Sequence, residues 1–146
     1  MSPETTTDVA AAFDALLQAA RRARARVGQL PGELTLQQSH LLEPLLAGEE
    51  RGVGELALAA GVTAPTATRM LDALERDGVV VRRRTAEDRR CVRVSLTEAG
   101  AERAAAAAAA RAEWRAAVFA GLSERERRDA ARVLSRLSTL IEEHSA

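Results

Sequence analysis

Apolar residues recur at helical spacing from Asp8 onward, with Val9, Phe13, Leu16, Leu17, Ala20, Ala23 and Val27 on one face. Gly28 is placed to stop that helix, and Leu30-Pro31-Gly32-Glu33 reads as a turn. Residues 1–7 are small and polar and are expected to fray. Thr35 with Gln38 fits a capping box, and Leu36, Leu41, Leu42, Leu45 and Leu46 follow at helical spacing. Pro44 falls inside this second pattern; it lacks an N–H and should kink or split the helix. Residues 48–52 read as a loop, and Gly54 to Ala60 as a short helix broken at Gly61.

Thr63 can cap the next helix, with Pro65 tolerated in its first turn and Gly78 as its stop. Ala67, Met70, Leu71 and Leu74 fall on one side of it; Pro65, Arg69, Asp72 and Arg76 fall on the other. The period then changes. Val79-Val80-Val81 and Cys91 to Leu96 are β-branched and partly alternating, and they flank the charged stretch Arg84 to Arg89, which predicts a hairpin. Thr97 can cap a long helix from Glu98 to about Ala120, including seven consecutive alanines, the best helix formers. Gly121 ends it. Ser123 with Glu126 opens a last helix, striped by Val133, Leu134, Leu137, Leu140 and Ile141. The fold class is mainly α with a small β-hairpin wing: a winged helix-turn-helix between N- and C-terminal helices.

Composition sharpens this picture. The 146 residues suit a single domain, but 32 are Ala and only three are Phe or Trp, so large apolar side chains are scarce. Phe13, Trp114, Phe119 and the stripe to Ile141 nevertheless exceed what a small wing domain can cover. An oligomer interface built from Val9, Phe13, Leu16, Phe119, Val133, Leu137, Leu140 and Ile141 accounts for them. No apolar run is long enough for a membrane span, and the N-terminus lacks the features of a signal peptide, which leaves the cytoplasm as the expected location. One cysteine and two histidines make neither an intramolecular disulfide nor a Cys/His metal cluster, so no metal and no cofactor are expected.

All 21 cationic residues are arginines, balanced by 21 acids. The balance is not local. Between Val79 and Thr97 six arginines (82, 83, 84, 89, 90 and 93) face two acids, leaving +4 on that segment. This is an electrostatic footprint confined to one hairpin. A helix-turn-helix presents its second helix to the DNA major groove, first turn foremost. Thr63, Pro65, Thr66, Thr68 and Arg69 are placed to meet it there; Arg69 has the fork that reads guanine bidentately, and Arg76 is better placed for phosphate. Asp72 can orient Arg69 or Arg76. In the hairpin, Arg82, Arg83, Arg84, Arg89 and Arg90 suit the backbone and a narrow minor groove. Asp88, two residues before Arg90, can brace its guanidinium. An ordinary Arg/Asp surface helix and a solvated charged hairpin that guards an edge strand carry the same patterns.

The run Leu71-Asp72-Ala73-Leu74-Glu75-Arg76-Asp77-Gly78-Val79-Val80, then Asp88-Arg89-Arg90, then Val94-Ser95-Leu96-Thr97-Glu98-Ala99-Gly100 resembles the MarR family of bacterial transcriptional regulators. The resemblance implies a homodimer on a pseudo-palindromic double-stranded operator. Residues 8–34 and 98–144 would supply the dimerisation helices and residues 35–97 the DNA-binding lobe, within one domain. It further implies Arg90 as the wing arginine in the minor groove with Asp88 as its brace, and a repressor released by a small-molecule effector. Pro44 departs from the family's uninterrupted second helix.

The remaining chemistry-bearing residues have two readings each. Phe13, His40 and Trp114 are candidates for an effector pocket, or for dimer core and a solvated surface. Cys91 opens a wing strand, where a half-buried residue suits packing; nearby arginines would also suit a redox-responsive thiol. No phosphate-cradling glycine loop, H-E-x-x-H or supported Ser/His/Asp set is present, so an enzyme is not expected. A winged helix serving a protein partner is the alternative class.

Overall fold

The computed structural model describes residues 3–26 and 33–145. The chain divides into two compact units, Met1–Thr35 and Leu36–Ala146. The first contains one helix, α1, Pro3–Arg26. It starts five residues before the apolar pattern does, because Pro suits a helix's first turn and the Thr-rich segment adds no breaker. Val9, Leu16 and Leu17 on α1 are exposed. The expected stop at Gly28 and the turn at residues 30–32 lie outside the described residues.

The second unit opens with α2, Leu36–Leu42, which gives way to a 3-10 turn, Glu43–Ala47. Pro44 sits in the first positions of that turn, so the helix is split where its missing N–H requires. Gly48, at φ +83°, ends the turn in the left-handed region, its N–H donating to the Leu45 carbonyl at 3.0 Å. The segment expected to be a plain loop contains a two-residue strand, β1, Arg51–Gly52. Two residues are too few to show alternation, so tertiary pairing alone defines this strand.

The helix-turn-helix follows: α3, Val53–Ala60, and α4, Ala64–Arg76. Thr63 caps α4, its hydroxyl accepting from the Thr66 N–H at 3.4 Å. Ala67, Leu71 and Leu74 are buried, as the spacing predicts, and Met70 is half-buried. Strands β2, Val80–Arg84, and β3, Val92–Leu96, form the hairpin, and the sheet order is β1-β3-β2, antiparallel throughout. The register pairs Val80 with Leu96, Arg82 with Val94 and Arg84 with Val92. The buried apolar residues run in sequence from Leu41 to Ala104, with Leu41, Leu42, Leu56, Leu71, Val79 and Val94 fully enclosed.

Two long helices complete the unit: α5, Glu98–Ala120, and α6, Glu124–Ser145. Thr97 caps α5 through the Gly100 N–H at 2.9 Å. Ser123 and Glu126 cap α6 reciprocally. The start of α5 lies against the entry to β2. The Val79 carbonyl accepts from the Thr97 N–H at 3.0 Å, and a Cβ on residue 100 would stand 1.9 Å from that carbonyl oxygen. Only glycine fits there.

Gly100→Ala is therefore expected to lower unfolding stability by about 1–3 kcal/mol, the range for forcing a methyl into a filled site. Gly54→Ala is the contrast. It lies within α3 with open space around its Cβ position, and is expected to gain roughly 0.5–1 kcal/mol. Urea unfolding of the two variants checks both signs.

Candidate nucleic-acid interface

The outer face of α4 is polar and open. Thr63, Pro65, Thr68, Arg69, Asp72 and Arg76 are exposed, and Thr66 is half-buried. Local hydrogen bonds organise the first turn: the Thr63 hydroxyl donates to Thr66 Oγ1 at 3.0 Å, and the Thr68 hydroxyl donates to the Ala64 carbonyl at 3.0 Å. Arg69 has no ion pair among the described residues. Asp72 does not orient it. The Asp72 carboxylate takes Arg82 instead, while Arg76 Nε donates to the backbone carbonyl of Asp72 at 3.4 Å.

The hairpin's arginines separate into two groups. At the root each is held by an acid. Arg82 donates from Nε and Nη2 to Glu75 Oε2, at 3.1 and 2.7 Å, and from Nη2 to Asp72 Oδ1 at 2.6 Å. Arg83 makes a fork to Glu50, with Nε and Nη2 each 2.6 Å from a carboxylate oxygen. Arg93 lies 3.6 Å from Glu55. At the tip Arg84, Arg89 and Arg90 are exposed and carry no ion pair among the described residues. The +4 segment thus presents its free charge at one end. Electrostatics agree with the geometry. The Arg82 guanidinium holds the Glu75 carboxyl below the usual range, and Arg83 does the same to Glu50. Both arginines are held more firmly in their charged form by these partners.

Asp88 acts differently from the expected brace. Its Oδ1 accepts from the backbone N–H of Arg90 at 2.9 Å, not from the guanidinium. A carboxylate two residues back reaches the amide more easily than the end of a long side chain, which is the geometry of an Asx turn. Thr85 completes the loop: its hydroxyl donates to the Asp88 carbonyl at 2.7 Å and accepts from the Asp88 N–H at 3.2 Å. Asp88 shapes the tip and leaves Arg90 pointing free. Cys91 is exposed and precedes β3, rather than half-buried within it; its Sγ lies 3.6 Å from Asp88 Oδ2.

Of the candidate effector residues, one lies in the first unit and two in the second. Phe13 belongs to the first unit and is half-exposed. His40 on α2 is half-buried, and Trp114 on α5 is 51% exposed. An open cavity of about 290 Å³ lies elsewhere, between the 3-10 turn, the end of β3 and the start of α5, lined by Leu45, Leu46, Ser95 and Ala101 among others. Sequence reasoning passed over Arg111. Its Nη1 is enclosed without a hydrogen-bond partner among the described residues, and its Nη2 lies 3.6 Å from Glu43. Its position one turn before Trp114 on α5 was the available signal.

The interface candidates lie open or half-open. Phe119, Val133, Leu140 and Ile141 are exposed, Leu137 is half-buried, and no residue of α6 is buried. Among the described residues no helix is long and apolar enough to cross a membrane, and no group of acids, histidines and cysteine is placed to hold a metal ion.

Residues 34–92 match the MarR family model. The Escherichia coli K12 transcriptional repressor MprA is 38% identical over 69 residues, 47% of this chain and 34% of MprA, so the match spans about a third of that relative's length. The YusO protein of Bacillus subtilis superposes with a TM-score of 0.69 at 26% identity, over 95% of this chain and 99% of YusO. The S. aureus MepR–DNA complex gives 0.67 at 27% identity, over 73% and 79%.

Because Glu75 and Glu50 ionise more readily in the fold, their contribution to stability is present above the usual glutamate range. It is lost as pH falls through their lowered values. The Arg82 amide, which donates to Glu75 Oε1 at 3.2 Å, is expected to titrate by NMR with a midpoint below that of an ordinary glutamate. Glu75→Gln should abolish that titration. A midpoint at the ordinary value would mean that the pair is open in solution.

Proposed function

We propose that the chain, which carries a MarR-family domain over residues 34–92, is a homodimeric, sequence-specific DNA-binding regulator of transcription that acts as a repressor. The observation that carries the reading is the division of the wing arginines. Three are neutralised at the root, and Arg84, Arg89 and Arg90 carry no ion pair among the described residues at the tip, beside a recognition helix whose exposed Arg69 likewise carries none. A solvated hairpin needs no such division; a minor-groove probe does, because a narrow groove draws in an unneutralised guanidinium. The similar MepR structure is a DNA complex, which supports the same partner here. MprA's description as a repressor supports the sign of regulation. The site of action is the cytoplasm, where the DNA is.

Thr63, Pro65, Thr66, Thr68 and Arg69 meet the major groove, and Arg76 reaches phosphate. Arg84, Arg89 and Arg90 serve the minor groove and its backbone, with Asp88 fixing the tip that carries them. Arg82 and Arg83 act on the protein itself, since a phosphate would have to displace their carboxylates. The dimer follows from α6, a 22-residue helix that buries none of its residues within the chain. An amphipathic helix of that length needs a partner for its apolar stripe. A second copy supplies one, and a twofold axis sets two recognition helices roughly 34 Å apart, on successive major grooves.

A small-molecule effector would release DNA by binding better to a lobe spacing that does not fit those grooves. The enclosed Nη1 of Arg111, without a hydrogen-bond partner among the described residues, supports an anionic group on that molecule. Calorimetric titration with small carboxylates, with Arg111→Gln as control, tests it; equal heats in both proteins would remove Arg111 from the site.

Arg90→Ala is expected to weaken operator binding by about 1–3 kcal/mol and to reduce the salt slope by about one if the contact is to phosphate. Fluorescence anisotropy against the DNA flanking the gene, with a scrambled duplex and a salt series, measures both. Unchanged affinity removes the wing role. Ile141→Arg is expected to shift the sedimentation of the protein from dimer to monomer and to cost at least about tenfold in operator affinity; a variant that stays dimeric places the interface elsewhere.

A further inference from the structure

We infer that Arg82 is a positioning residue that fixes the wing to the recognition helix, so that tip and helix meet DNA at one set distance. The inference rests on the DNA-binding reading above. Asp72 and Glu75 stand three residues apart on α4, and Arg82 spans both. Its side chain is 23% exposed, more enclosed than either acid. Glu75 receives three bonds from this one residue: the Arg82 backbone N–H at 3.2 Å, Nε at 3.1 Å and Nη2 at 2.7 Å. Asp72 receives a fourth, from Nη2 at 2.6 Å. Isolated surface ion pairs contribute little, but a planar fork inside a network of several charges is the recognised exception.

The placement gives the network its consequence. The connection from α4 to β2 is the short turn Asp77 to Val79, with Gly78 at φ +70°. The Thr97 contact with Val79 and the pairing of β3 with β1 already anchor the root of the hairpin; a direct tie from β2 to the outer face of α4 is a further attachment. Arg82 provides that attachment at the third residue of β2, two residues before the strand ends and the tip begins. From the other face of β2, Arg83 is held by Glu50. The root is therefore gripped on both faces, and the free arginines start immediately beyond it.

Charge adds a second argument. Asp72 and Glu75 lie on the helix assigned to the major groove, where bare carboxylates repel phosphate. Arg82 neutralises that part of the helix. If Arg82 turned to DNA it would uncover both acids beside the duplex.

Two variants separate positioning from charge. Arg82→Lys keeps the charge and loses the fork; Glu75→Gln removes an acid that should otherwise oppose DNA. Each is measured by anisotropy on operator and scrambled duplexes, and by ¹⁵N relaxation of residues 85–91 in the free protein. Positioning gives faster wing motion in both variants and about a tenfold loss of discrimination, of the order of one lost base contact. The salt slope of Arg82→Lys stays at the wild-type value. Thermal melting confirms that each variant is folded. Wild-type wing motion and discrimination in Arg82→Lys overturn the inference, as does tighter, equally selective binding by Glu75→Gln. A slope reduced by about one in Arg82→Ala also overturns it, by marking a phosphate contact. If the wild-type protein itself shows no sequence preference, the DNA reading falls, and the relaxation data alone decide the clamp.

Discussion

The backbone contact between Val79 and the start of α5 is the constraint on which the unit turns. One carbonyl, that of Val79, accepts from the N–H and the hydroxyl of Thr97, at 3.0 and 3.2 Å. The same hydroxyl donates to the Gly78 carbonyl and caps α5 through the Gly100 N–H. The end of α4, the first strand of the hairpin and the long helix α5 are thereby joined at one point. Gly100 lets them approach to backbone contact, and any Cβ would push them apart. The link between α5 and the end of α4 is thus short and made largely through backbone.

Around that point charge is used for two purposes. At the root of the hairpin, arginine is a structural residue: Arg82 and Arg83 carry forked bonds to acids on α4 and before β1. At the tip it is left available. The chain contains no lysine, and the root shows what the guanidinium adds, since a point charge cannot hold two acids and a strand direction at once. A neutral protein can in this way concentrate positive charge at one end while the rest of the chain carries the compensating −4.

The long helices show the complementary economy. Large apolar side chains are few, yet Trp114, Val118, Phe119, Val133, Leu134, Leu140 and Ile141 stand exposed on α5 and α6. Among the described residues the buried apolar side chains, from Leu41 to Ala104, are leucine, valine and alanine. The bulkiest residues are thus held outside the lobe's own core, where a second copy of the chain can cover them.

Much of this was legible in the sequence, wherever local chemistry decides. Thr63, Thr97 and Ser123 cap the helices that follow them, Pro44 splits the second helix, Gly61 and Gly78 end theirs, and the period changes at Val79; each is a property of a few adjacent residues. What the sequence could not supply depends on partners far along the chain. Strand β1 is two residues long and exists through its pairing with β3. Six neighbouring arginines look equivalent in sequence, and they divide only because Glu50, Asp72, Glu75 and Glu55 arrive at the root from other elements. Asp88 was readable as a residue of the tip but not as the acceptor for an amide, since spacing does not tell whether a carboxylate meets the backbone or the end of a side chain. Glycine at position 100 was readable as part of a motif, and its reason, the carbonyl of Val79, exists only in the folded chain. Local rules set by one turn of backbone are carried in the sequence itself. The sorting of charge and the tolerance of each position for a single methyl group are decided by the surfaces that folding brings together.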